Sequence, residues 1–153
     1  MLIVEVNIQD DRWHVLLCDP ECYVQELATS FLEDLGTEKS ESVLSIVLAG
    51  DALLFELNST YRNISKPTNV LSFNYENVSY NSYMGEIFLS VERIETEAAE
   101  MQISFPDHLA HMLIHGILHL LGYDHNTPEE TEKMQAVEIS LLQKRNISNP
   151  YEI

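Results

Sequence analysis

Of the six histidines in 153 residues, three fall in one short stretch: His115, His119 and His125. His115 and His119 are one helical turn apart, so both side chains project from the same helix face. Gly122 is suited to end that helix, because glycine enters the left-handed conformation without a Cβ penalty. The residues after it can swing His125 back toward the same face. Three imidazoles meeting at one point are the ligand set of a catalytic zinc whose fourth position stays open to water. Other divalent metals also accept imidazole, so the pattern fixes metal chemistry more firmly than the element.

The helix that carries the pair is predicted over 106–121. Apolar residues from Leu109 to Leu121 cover nearly all of its circumference, which marks a core helix. Its polar stripe is His108, His111, His115 and His119. Burying such a stripe without partners is costly, and a metal would satisfy two of its members. His108 and His111 lie nearer the helix start and are expected to be exposed or to back the ligands from behind. The spacing resembles the metzincin pattern His-Glu-x-x-His-x-x-Gly-x-x-His, with Gly116 where those peptidases carry the general-base glutamate. The metal geometry is present without the usual proton acceptor, which weakens a peptidase reading.

Twenty-five acidic residues against eight Lys and Arg give a net charge of −17. So acidic a chain lacks the broad cationic surface of a typical nucleic-acid binder. Any polyanion must be met by a local cation, a metal or a partner. Arg62 and Lys66 are two of the eight cations, and arginine is the side chain whose fixed fork of donors grips phosphate. Cys18 and Cys22 have no second pair to complete a zinc set and read as ordinary thiols. The absence of a long apolar run or a basic-then-apolar leader makes a cytoplasmic protein the expectation, with no membrane partner.

The remaining elements must position these residues. Alternation predicts a strand at 2–9, then a connection at 10–14 over which Trp13 packs. Asp19 and Pro20 open a helix at 20–35. A β-branched run gives a strand at 43–48, followed by a helix at 51–61. Strands at 70–75 and 85–89 flank a polar loop at 74–83, expected to be mobile. Glu86 sits on the second of these and could face the site. Ser90 caps a helix at 91–101. Thr127, Pro128 and Glu130 form a capping box for a last helix running to about 145. The tail 146–153 is expected to fray. The sum is a single α+β domain over 1–153, with a central mixed sheet of about four strands and about five helices, covered mainly on one side.

Residues 115–125 read His-Gly-Ile-Leu-His-Leu-Leu-Gly-Tyr-Asp-His, and this stretch resembles the signature of the YbeY-type endoribonuclease and rRNA maturation factor family. Two further blocks support the resemblance. Leu57-Asn58-x-x-Tyr61-Arg62 leads into Lys66-Pro67-Thr68-Asn69-Val70-Leu71-Ser72-Phe73, and Met84-Gly85-Glu86-Ile87 is similar to a family segment that carries aspartate at the Glu86 position.

The resemblance implies a zinc-type metal on His115, His119 and His125, and a cleft between that metal and Arg62. It implies single-strand-specific RNA cleavage in the maturation of rRNA, including the 3′ end of small-subunit rRNA, and in ribosome quality control. Arg62 and His115 are then the expected catalytic residues. Arg62, Lys66, Asn58, Ser72 and Glu86 are the expected substrate contacts, and Asp124 either orients His125 or braces its turn. Single-stranded RNA, rRNA and the small subunit or its proteins are the implied partners, with no DNA expected. Water activated on the metal and attack by a ribose 2′-hydroxyl are both open routes. The alternatives are a metallopeptidase-like or other small-substrate hydrolase, and a non-enzymatic zinc-containing assembly factor.

Overall fold

The computed structural model describes residues 2–37, 42–74 and 83–152. Strands β1 (Ile3–Ile8), β2 (Val43–Ala49), β3 (Val70–Phe73) and β4 (Tyr83–Ser90) form one sheet in the order β1-β2-β4-β3. β1 and β4 both run parallel to β2, whereas β3 is antiparallel to β4. Among the described residues there are six helices: α1 (Trp13–Leu16), α2 (Pro20–Asp34), α3 (Asp51–Arg62), α4 (Val91–Met101), α5 (Phe105–Leu120) and α6 (Pro128–Gln143). This is the single α+β domain with a mixed four-stranded sheet that the sequence leads one to expect, with one more helix.

The extra element is α1, a single turn inside the segment read as a connection. Trp13 starts it, is fully buried, and donates its indole N–H to the Ala49 carbonyl at 2.8 Å. A four-residue helix leaves no apolar periodicity to detect. The strand expected at 70–75 ends at Phe73, and the last strand begins at Tyr83, before the expected 85. The loop expected at 74–83 falls largely outside the described residues.

Strand alternation divides the core in two. Leu44, Ile46, Leu48, Ile87 and Leu89 face α2 and α5 in the larger cluster, while Val47, Leu71, Phe73 and Phe88 meet Leu54 of α3 on the other side. The sheet is therefore covered mainly on one face, and α5 is the helix at its centre. Eleven of the sixteen residues of α5 are buried, all of them from His108 onward. Ser104 caps its start, accepting the Asp107 N–H at 3.2 Å.

The tail was expected to fray, but it is pinned at two points. Ile147 packs on the core, and the Tyr151 hydroxyl donates to Glu138 on α6. Among the described residues no helix is long and apolar enough to cross a membrane.

Candidate metal centre and cleft

The end of α5 builds the site. Gly122 adopts φ +98°, and the N–H groups of Gly122 and Tyr123 return to the carbonyls of His119 and Leu118 at 3.1 and 3.0 Å. This left-handed stop satisfies the last helical carbonyls and reverses the chain. It also delivers the Tyr123 carbonyl to His119 Nδ1, at 3.1 Å. Asp124 then accepts from the His125 backbone N–H and from the Asn126 amide, both at 2.8 Å, which braces the turn. His125, on the exposed side, comes back over the helix end. Its ring centroid lies 4.9 Å from that of His119 and 5.7 Å from that of His115. One nitrogen from each of the three rings falls within 4.8 Å of the others.

The protonation pattern fits a cation. His115 Nδ1 faces the Glu138 carboxylate at 2.7 Å, and His119 Nδ1 faces the Tyr123 carbonyl. Both acceptors require an N–H at Nδ1, so each Nε2 carries a lone pair. These two Nε2 atoms stand 3.1 Å apart. Two lone pairs repel at that distance unless a positive centre lies between them. Tetrahedral zinc with Zn–N near 2.0–2.1 Å would separate its ligands by about 3.3 Å. Burial, then the neighbouring imidazoles of His115 and His125, which oppose a further positive charge, hold His119 below the ordinary histidine value, which favours the neutral ring that a ligand must be.

Glu138 is the residue that sequence reasoning missed. It is completely buried on α6 and serves as the carboxylate behind His115. Its carbons lie among neighbours that carry a signal. Met134, Glu138 and Leu142 follow at helical steps of four, so the glutamate sits on the stripe that faces the core. Burial alone would raise its pKa, but the nearby His111 imidazole and the hydrogen bonds from His115 and Tyr151 outweigh it and hold the carboxyl at about 2, against an ordinary 4.5. A depressed carboxyl stabilises the fold fully above its unfolded pKa and loses that contribution as pH falls through the folded one. Wild type is therefore expected to lose on the order of 3 kcal/mol more than Glu138→Gln between pH 4.5 and 2. Denaturant melts of the metal-free proteins across that window give the difference.

His108 and His111 are not exposed. They are 3% and 7% accessible, with His108 Nε2 paired to Glu97 at 2.8 Å and His111 Nε2 reaching the Tyr151 hydroxyl at 3.1 Å.

Beside the histidines lies a cleft of about 600 Å³, whose walls include Arg62, Asn69, Ser72, Phe73, Asp124 and the three imidazoles. Arg62 is the last residue of α3 and is exposed. It is the only Lys or Arg among the described residues that line the cleft.

Of the other substrate-contact candidates from the sequence, only Ser72 lines the cleft. Lys66 is exposed and is not part of the cleft wall. Asn58 is buried, and its amide donates to the Lys66 carbonyl at 2.9 Å, so it shapes the loop after α3. Glu86 lies opposite Phe73 on the sheet face turned away from α5, because alternation puts its neighbour Ile87 against that helix. Ser72 does reach the cleft, but its hydroxyl donates to the Gly116 carbonyl at 2.9 Å.

That last contact explains Gly116. A Cβ there would lie 3.1 Å from Ser72 Oγ and 3.2 Å from both Ile87 and Val70. The position faces the sheet at close range and not the metal ligands, so any side chain there, the glutamate of a metzincin included, must push its neighbours aside.

The chain is similar to known proteins along nearly its whole length. The family profile described as Endoribonuclease YbeY matches residues 7–146. A protein named Endoribonuclease YbeY from Anaplasma phagocytophilum (strain HZ) is 51% identical over 148 residues, 97% of this chain and 96% of that one. Its namesake in Anaplasma marginale (strain Florida) is 49% identical, and one in Ehrlichia canis (strain Jake) is 41% identical, each over 97% of both chains. A solution structure of a Thermotoga maritima protein shares the fold, with a TM-score of 0.59 at 24% identity, covering 100% of this chain and 97% of that one. The three-histidine helix end, the cleft that Arg62 borders and these matches together place the chain in the Endoribonuclease YbeY family.

Proposed function

We propose that the chain is a zinc-dependent endoribonuclease that cleaves single-stranded RNA during rRNA maturation, including the 3′ end of small-subunit rRNA, and in ribosome quality control. The observation that carries the reading is one cleft bordered by both the three-histidine group and Arg62. His115, His119 and His125 would hold the ion. Zinc supplies Lewis acidity to a phosphate oxygen and lowers the pKa of a coordinated water. Arg62 binds the scissile phosphate through its fork of N–H donors and offsets the charge that develops on it. Glu138 holds His115 in the tautomer that leaves Nε2 free, and the Tyr123 carbonyl does the same for His119. Asp124 fixes the turn from which His125 projects.

The cleft is in the size range of small-molecule pockets, which fits single nucleotides of a splayed strand. With a net charge of −17 and one cation at the cleft, little affinity comes from the rest of the surface. Delivery of the RNA by the small subunit or one of its proteins, in the cytoplasm, fits this balance.

Arg62→Ala is expected to lower the cleavage rate on a defined single-stranded rRNA fragment by about 10²–10³-fold, the usual cost of removing one charge-stabilising donor. Bound metal should stay at the wild-type level, and Arg62→Lys should recover only part of the loss. Cleavage by Arg62→Ala at the wild-type rate, from protein freed of contaminating nucleases, would refute the assignment.

A further inference from the structure

We infer that Tyr151, in the C-terminal segment, is a positioning residue for the metal centre, acting through Glu138 on His115. The inference rests on the reading of His115 as a metal ligand.

Four side chains from three parts of the chain form one directed series of hydrogen bonds. His111 Nε2 lies 3.1 Å from the Tyr151 hydroxyl, the Tyr151 hydroxyl meets Glu138 Oε1, and Glu138 Oε2 lies 2.7 Å from His115 Nδ1. The donors are fixed by the ends. Glu138 is a carboxylate and only accepts, so Tyr151 donates to it and His115 donates to it. The Tyr151 oxygen then accepts from His111 Nε2–H. Every proton in the series points toward Glu138, and its outcome is a lone pair on His115 Nε2, facing that of His119.

Tyr151 matters because Glu138 has no access to water. A buried carboxylate needs a donor at each oxygen, and an unsatisfied one is costly. Oε2 has His115. For Oε1 the alternative to Tyr151 is His111 Nε2, which lies 3.6 Å away, beyond hydrogen-bond range. Without the tyrosine hydroxyl, the carboxylate must turn toward His111 to be satisfied. That turn lengthens its contact with His115, and the imidazole loses the restraint that aims Nε2. Burial and the neighbouring carboxylate both push the Tyr151 hydroxyl above its ordinary pKa, so it stays a donor at neutral pH.

The hydroxyl can be removed without disturbing the packing. Tyr151 is 39% exposed, and its ring sits edge-on to His111, with centroids 5.4 Å apart. Tyr151→Phe keeps that ring contact and deletes only the hydrogen bond.

The test compares wild type, Tyr151→Phe and Glu138→Gln, each stripped and reloaded. Zinc affinity is read by competition with a chelator, the cobalt-loaded proteins give a visible spectrum, and thermal melts are run metal-free. Outer partners of metal ligands usually change affinity by about 10–100-fold. Glu138→Gln should fall in that range, and Tyr151→Phe should weaken zinc about tenfold and shift the cobalt bands. The metal-free melt of Tyr151→Phe should stay close to wild type. Zinc affinity within twofold of wild type and an unchanged cobalt spectrum in Tyr151→Phe would overturn the inference while leaving the metal centre intact. A lower metal-free melt with unchanged affinity would overturn it too, by making the tyrosine a structural strut. Failure of wild type itself to take up zinc or cobalt would bring down the metal centre, and the inference with it.

Discussion

His119→Ala is expected to yield a folded protein that binds zinc about 10²–10³-fold more weakly and cleaves RNA at background rate. Structural zinc sites with four ligands bind with roughly 10–16 kcal/mol, so one ligand accounts for about 2.5–4 kcal/mol. The fold should tolerate the change because His119 is only partly buried at the mouth of the cleft, and α5 ends on Gly122 whatever residue stands at 119. Alanine is also the best helix former. The lost contact to the Tyr123 carbonyl leaves that carbonyl beside the open cleft, where water can reach it. Circular dichroism should overlay on wild type while metal analysis after dialysis finds the centre empty. Retention of stoichiometric zinc by His119→Ala would mean that the ion sits elsewhere.

Gly116→Glu carries the second large effect, in the opposite sense. On paper it restores His-Glu-x-x-His and should create a peptidase. In the folded protein it forces a carboxylate into the contact between α5 and the sheet. Its Cβ alone would press on Ser72, Ile87 and Val70 at 3.1–3.2 Å, and the rest of the side chain adds to that crowding. Overpacking costs about 1–3 kcal/mol, and an unpaired buried charge costs several more. The sum approaches the whole stability of a domain this size, about 5–15 kcal/mol. Gly116→Glu should therefore be largely insoluble or melt far below wild type, with no peptidase activity. A soluble variant with a wild-type melt would show that the close helix–sheet contact is not as tight as described.

These two variants mark where the sequence is readable. The i, i+4 histidines, the Gly122 stop and the Thr127 cap are local signals, decided within one or two turns, and the structure contains all three. The sheet was legible as four strands because each carries its own alternation or β-branched run. Its order, β1-β2-β4-β3, was not, since pairing is settled between segments far apart in the chain.

The misplacements share one cause. Glu86 and Asn58 stand in stretches with polar neighbours, and polarity alone does not say which way a side chain points. Alternation with Ile87 would have put Glu86 on the far face, and the step of four from Leu54 would have put Asn58 inside. Glu138 was hidden for the same reason, as one acid in an acidic helix. Of the two places expected for His108 and His111, exposure does not hold, and His111 does back the ligand His115 through Tyr151 and Glu138; their partners come from α4 and the tail, which no local pattern connects to α5.

X-ray absorption at the zinc edge of the loaded protein is the most direct measurement. Three imidazole nitrogens at about 2.0–2.1 Å and one light oxygen scatterer are predicted, with one imidazole lost in His125→Ala. A first shell that keeps three imidazoles in His125→Ala, or one completed by a fourth protein ligand, would contradict an open three-histidine centre.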